Sequence, residues 1–257
     1  MANRVLAVAG KGGTGKTTVS ALLIRAARRG GVTPILAVDA DPNYCLGDAL
    51  GLEVGETLGG LREDFGKLGS ELPPGMSKAN YLEMQASRAV QESDGLDLLT
   101  MGRQEGPGCY CFANDILRSV LDQLQGNYPL VVIDNEAGLE HLSRRTARHV
   151  DDMVVVSDAA PKGLRAAGRV LELIGELKLD VRTKHMVINR VPDSGLDERL
   201  QAQVDALELK HPPVLLPVDS EVQERDLART SLLDLNGSPA TIEVDALFSH
   251  IVDLSGN

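Results

Sequence analysis

Gly10-Lys11-Gly12-Gly13-Thr14-Gly15-Lys16-Thr17 is the run on which the reading of this 257-residue chain turns. Gly10, Gly15, Lys16 and Thr17 have the spacing of a phosphate-binding loop, and the run lies between an apolar stretch at 5–9 and helically spaced apolar residues at 18–29. Strand before and helix after are what give such a motif meaning. Glycines there let successive backbone N–H groups converge on phosphate oxygens, the helix N-terminus adds partial positive charge, and Lys16 adds a full one. Thr17 offers its hydroxyl to Mg²⁺. The segment Gly10, Gly12, Gly13, Thr14, Gly15, Lys16, Thr17 and Thr18 is therefore expected to hold the phosphates of ATP or ADP with Mg²⁺. A plain glycine turn would not require that spacing.

Outward from the loop, short apolar runs at 35–38, 96–101, 130–133, 153–156, 185–188 and 214–216 repeat the pattern of the first. Segments of helical spacing at 113–124, 164–177 and 196–207 are interleaved with them. Repeated strand-helix-strand units predict an α/β fold, a doubly wound and mostly parallel sheet flanked by helices. No linker-like or repetitive stretch divides the chain, so residues 1–257 are expected to form one domain. Residues 52–92 have weaker periodicity and several Gly and Pro; an irregular stretch with one or two helices covering an edge is expected there.

A net charge of −11 leaves little for a sequence-independent grip on nucleic-acid phosphates, so nucleic acid is not expected as a partner. Residues 1–9 lack the apolar core and cleavage site of a signal peptide, and no apolar run reaches the roughly 18 residues of a membrane span. The C-terminal segment 242–254 lacks Lys and Arg to face anionic lipid. A cytoplasmic protein without a membrane partner is expected. Of three cysteines, Cys45 is expected to serve packing, whereas Cys109 and Cys111 stand one residue apart before the helix at 113–124. A helix N-terminus lowers thiol pKa and favours metal binding, but two sulfurs cannot fill a four-coordinate site.

In open α/β sheets ligands sit beyond the carboxyl ends of the strands. There stand Val38-Asp39-Ala40-Asp41-Pro42-Asn43, Ile133-Asp134-Asn135-Glu136-Ala137-Gly138, Val187-Ile188-Asn189-Arg190 and Pro217-Val218-Asp219. The loop, with its additional Lys11, resembles the deviant phosphate loop of the ATPases that include MinD, ParA and the nitrogenase iron protein. The resemblance implies a homodimer in which Lys11 reaches the partner's phosphates, as an arginine finger supplied in trans does elsewhere. It further implies that Asp39 supports Mg²⁺ through water and that Asp41 positions the attacking water, so Lys11, Lys16 and Asp41 are the catalytic candidates. Asp134 would stand near Mg²⁺, Gly138 would turn its N–H toward a γ-phosphate, and Asn189 and Asp219 would hold the adenine. Glu136 is as well explained by a solvated charge.

Dimerisation about a two-fold axis would bring Cys109 and Cys111 of both chains together as four thiolates. Such a set suits Zn²⁺ or Ni²⁺, and less well an iron–sulfur cluster. The Cys-x-Cys pair and the two aspartate segments together are similar to the CooC-type maturation ATPases of nickel carbon monoxide dehydrogenase. That likeness implies nickel as cargo and the dehydrogenase as client. A positioning ATPase of the ParA/MinD kind and an iron–sulfur reductase are the alternatives.

Overall fold

A computed structural model of the chain describes residues 3–60, 75, 81, 84, 88–102, 124–137 and 149–253. Cys109, Cys111, Gly138 and the expected helix at 113–124, all but its last residue, lie outside the described residues. The seven expected strands are all present: β1 (Arg4–Gly10), β2 (Ile35–Ala40), β4 (Leu96–Thr100), β5 (Leu130–Asn135), β6 (Val150–Asp158), β7 (Val181–Val191) and β8 (Val214–Pro217). A two-residue strand, β3 (Val90–Gln91), pairs antiparallel with β4 and has no forerunner in the sequence reading. The order is β3-β4-β2-β5-β1-β6-β7-β8, with every other pairing parallel.

Both faces of the sheet are covered, which is why its strands read as continuous apolar runs. Side chains alternate along β1: Leu6 and Val8 enter one core, Val5, Ala7 and Ala9 the other. The first core is closed by α1 (Lys16–Arg29), α2 (Leu46–Leu50) and the C-terminal helix α6 (Pro239–Asp253). Against the second pack α3 (Pro161–Glu176) and α4 (Glu198–Asp205). A further helix, α5 (Ser220–Ala228), follows β8 and has no buried residue.

Several strands extend past their apolar runs. β2 continues through Asp39, β5 through Asp134 to Asn135, and β6 to Asp158. The backbone ladder persists where the apolar pattern stops, so carboxylates are delivered to the carboxyl edge on a rigid frame rather than on loops.

Candidate functional site

The phosphate loop leaves β1 at Gly10 and enters α1 at Lys16. Gly10 has φ 155°, and a Cβ there would run into the Val156 carbonyl of neighbouring β6. Gly15 precedes α1 with φ 91°, where a side chain would be strained and would meet Asn189 Nδ2. The first turn of α1 carries no acid, so its N–H groups and dipole remain available to an anion. Within the loop, Thr14 Oγ1 donates to the Lys11 carbonyl at 2.8 Å and Lys16 Nζ to the same oxygen at 3.4 Å. Lys16 is buried, whereas Lys11, Gly12 and Gly13 are exposed.

Strand β7 braces the loop from behind. Asn189 Nδ2 donates to the Thr14 carbonyl at 2.9 Å, and Arg190 Nη1 to the Gly13 carbonyl at 3.1 Å. The bracing role of Asn189 and Arg190 was not foreseen from sequence. It depends on two strands two places apart in the sheet, a placement that the local pattern does not show.

Asp39 and Asp134 are neighbours in the register of β2 and β5, so two carboxylates project side by side toward α1. Both are buried, at 0% and 1% exposure. Thr17 Oγ1 donates to Asp134 Oδ2 at 2.6 Å, and Ser20 Oγ lies 3.1 Å from Asp134 Oδ1. Asp39 accepts from the backbone N–H of Asp41 at 3.1 Å and of Leu46 at 2.8 Å. Burial, then repulsion from Asp134, raises the Asp39 pKa to about 7 against those hydrogen bonds. Burial likewise raises Asp134 to about 6, opposed by the hydroxyls of Thr17 and Ser20 and by Lys16. Two carboxyls so placed are short of positive charge, and a divalent cation suits them. Among the described residues no three His, Cys, Asp or Glu side chains have donors gathered for a metal. A cation beside Thr17 with its shell completed by phosphates and water would suit Mg²⁺.

Asp41 is half-buried, and its Oδ1 accepts from Asn43 N at 2.8 Å and Asn43 Nδ2 at 2.9 Å. Cys45, expected as a packing residue, is instead exposed at the start of α2, its Sγ 3.6 Å from the Asn43 carbonyl. Desolvation, followed by the nearby aspartates, raises its thiol pKa. The turn at Tyr44, with φ 41°, carries Cys45 outward; an apolar residue type alone did not reveal this.

Asn189 and Asp219 line one small pocket of about 50 Å³ with Thr18, Leu22, Arg190 and Pro217, beside the loop. Asp219 caps two helices there. Its Oδ1 accepts from Glu221 N (3.0 Å) and Val222 N (3.2 Å) of α5, and its Oδ2 from Ala240 N (2.9 Å) of α6. Burial pushes this carboxyl up, but hydrogen bonds from Ser238, Ala240, Val222 and Glu221 outweigh it and hold the group below the usual range.

A glycine loop between a central parallel strand and a helix, faced by in-register aspartates, defines a nucleotide-binding domain of the phosphate-loop class. The chain belongs to the CobQ/CobB/MinD/ParA nucleotide-binding domain family, whose model matches residues 5–232. It is 47% identical over 189 residues to an uncharacterized ATP-binding protein of Methanocaldococcus jannaschii, covering 73% of this chain and 74% of that one. It is 31% identical over 184 residues to the carbon monoxide dehydrogenase accessory protein CooC of Rhodospirillum rubrum, covering 67% of this chain and 69% of that one. Its fold is similar to that of the cell division ATPase MinD of Pyrococcus furiosus, with a TM-score of 0.69 at 21% identity over 97% of this chain and 99% of that one.

Proposed function

We propose that this chain is an ATP-hydrolysing switch that pairs with a second copy when ATP is bound, and that it serves nickel delivery to carbon monoxide dehydrogenase. The observation that carries the ATPase reading is the Asp39–Asp134 pair, buried in register beside Thr17 at the mouth of the phosphate loop. Thr17 and the phosphates would hold Mg²⁺, with Asp39 and Asp134 accepting from its water ligands; the cation would neutralise phosphate charge. Lys16 binds the outer phosphates. Asp41, anchored by Asn43, orients the attacking water, and Gly138 in the segment after β5 donates to the γ-phosphate. The exposure of Lys11 supports a role at a partner's nucleotide rather than its own. The pocket of Thr18, Asn189 and Asp219 takes the edge of the adenine.

The 31% identity to an accessory protein of carbon monoxide dehydrogenase supports the client. Cys109 and Cys111 of two copies supply four thiolates for Ni²⁺, with Zn²⁺ as the competing ion. Nucleotide biases metal affinity only through its different affinity for paired and separate copies. In α6, Ala240, Thr241, Val244, Leu247, Phe248 and Ile251 are buried against the fold. This favours metal delivery over positioning at a membrane, since that apolar face is already used.

Lys16→Ala is expected to abolish nucleotide binding. Asp41→Ala is expected to bind ATP, lose hydrolysis and accumulate as a dimer in light scattering; normal hydrolysis by Asp41→Ala removes its assigned role. Anaerobic Ni²⁺ titration should give about one ion per two chains, lost in Cys109→Ser/Cys111→Ser. Unchanged nickel binding in that variant sinks the metal reading while leaving the ATPase reading intact.

A further inference from the structure

Three histidines from three separate elements meet on the α6 side of the sheet, around a cavity of about 500 Å³. His185 lies on β7, His211 in the connection from α4 to β8, and His250 in the last turn of α6. Their ring centroids are 6.0 Å (His185–His211), 6.2 Å (His185–His250) and 5.3 Å (His211–His250) apart. Glu243, two turns before His250 on the same helix, lines the same cavity. The phosphate site uses none of these residues.

His185 is 4% exposed and its Nε2 lies 2.9 Å from Asp152 Oδ1, while Asp152 Oδ2 accepts from Arg4 Nε. Asp152 is fully buried. Burial pushes its carboxyl up, but the hydrogen bonds from His185 and Arg4 prevail and keep it ionised. An ionised carboxylate only accepts, so Nε2 donates to it and Nδ1 is the nitrogen left for another partner. A carboxylate fixing one nitrogen of an imidazole and freeing the other is the usual support of a metal-binding histidine.

Imidazole nitrogens bind Zn²⁺ at roughly 2.0–2.1 Å, which sets ring centroids about 3 Å from a shared ion and about 5 Å from one another. The His211–His250 pair already has that spacing, and the other two separations are about 1 Å wider than the expectation. In the conformations present the donors are not gathered. Because His185 is pinned, the remaining closure falls to half-buried His211 and exposed His250, whose ring torsions are broad and roughly two-fold.

We propose that His185, His211 and His250 form a metal site that uses neither the phosphate-loop residues nor Cys109 and Cys111. It takes a borderline divalent ion, Zn²⁺, Ni²⁺ or Co²⁺, with Glu243 or water in the fourth position. Metal there ties the C-terminal helix to β7 and to the start of β8. The test uses the untagged full chain carrying Cys45→Ser, Cys109→Ser and Cys111→Ser, so that no thiol contributes. Equilibrium dialysis against Zn²⁺ should give one ion per chain, and excess Zn²⁺ should raise the thermal midpoint. Adding His211→Ala and His250→Ala should weaken Zn²⁺ at least about tenfold and abolish the midpoint shift. Mg-ATP binding should survive in both forms, which shows that the fold is intact. No Zn²⁺ bound by the thiol-free chain, or binding indifferent to the histidine substitutions, overturns the proposal.

Discussion

Among the described residues Asp39 and Asp134 carry consequential electrostatics, because both are buried side by side and the Asp134 charge raises the cost of ionising Asp39. Their pKa values, about 7 and about 6, lie above the ordinary 3.8. The folded protein thus holds protons that the unfolded chain has released. Their stabilising contribution is fully present below pH 3.8 and is lost as pH rises through 6 to 7. A cation with nucleotide phosphates favours the ionised pair, so Mg-nucleotide binding at pH 6 should release protons and tighten as pH rises toward 8. Calorimetry at pH 6 in buffers of different ionisation enthalpy measures this; a buffer-independent heat would refute it. Asp39, Asp134, Lys16 and Thr17 were legible in sequence because a strand end or a glycine loop announces each. Ser20, Arg190 and the bracing side of Asn189 were not, since their partners lie 114, 177 and 175 positions away.

Asp219 shows how one side chain organises two elements. Its carboxylate caps α5 through Glu221 and Val222 and anchors the start of α6 through Ala240. Asp219→Ala should cost about 1–2 kcal/mol for each cap lost, read as a lower urea midpoint at unchanged m-value. The wild-type contribution should persist at neutral pH and vanish as pH falls below 3.8, because this carboxyl is held below its ordinary value. A variant as stable as wild type would mean that the caps contribute nothing net. Neither α5 nor α2 was legible beforehand. With no buried residue, α5 has no apolar stripe for periodicity to register, and α2 spans five residues, barely more than one turn.

Across the whole molecule, the central strands are tied by charge as well as by ladder bonds. Arg4 on β1, Asp152 on β6 and His185 on β7 form one buried chain. Arg4→Met leaves the Asp152 carboxylate with only its histidine and should lower unfolding free energy by about 3–5 kcal/mol. Pairing it with Asp152→Asn should recover part of that loss, and chemical denaturation of the two variants distinguishes a charge effect from simple loss of packing. The layer plan was legible because a sheet buried on both faces writes unbroken apolar runs into its strands, whereas two-residue β3 is too short to leave one. The edges of that plan, among the described residues, are poorly suited to extending the sheet. At one margin β8 is four residues long, preceded by Pro212-Pro213 and closed by Pro217; at the other, β3 runs against the rest. Prolines lack the N–H that a neighbouring strand would need, so the β8 margin is a poor template for edge-to-edge growth into fibrils. Aggregation through backbone ladders is thereby disfavoured at the β8 margin.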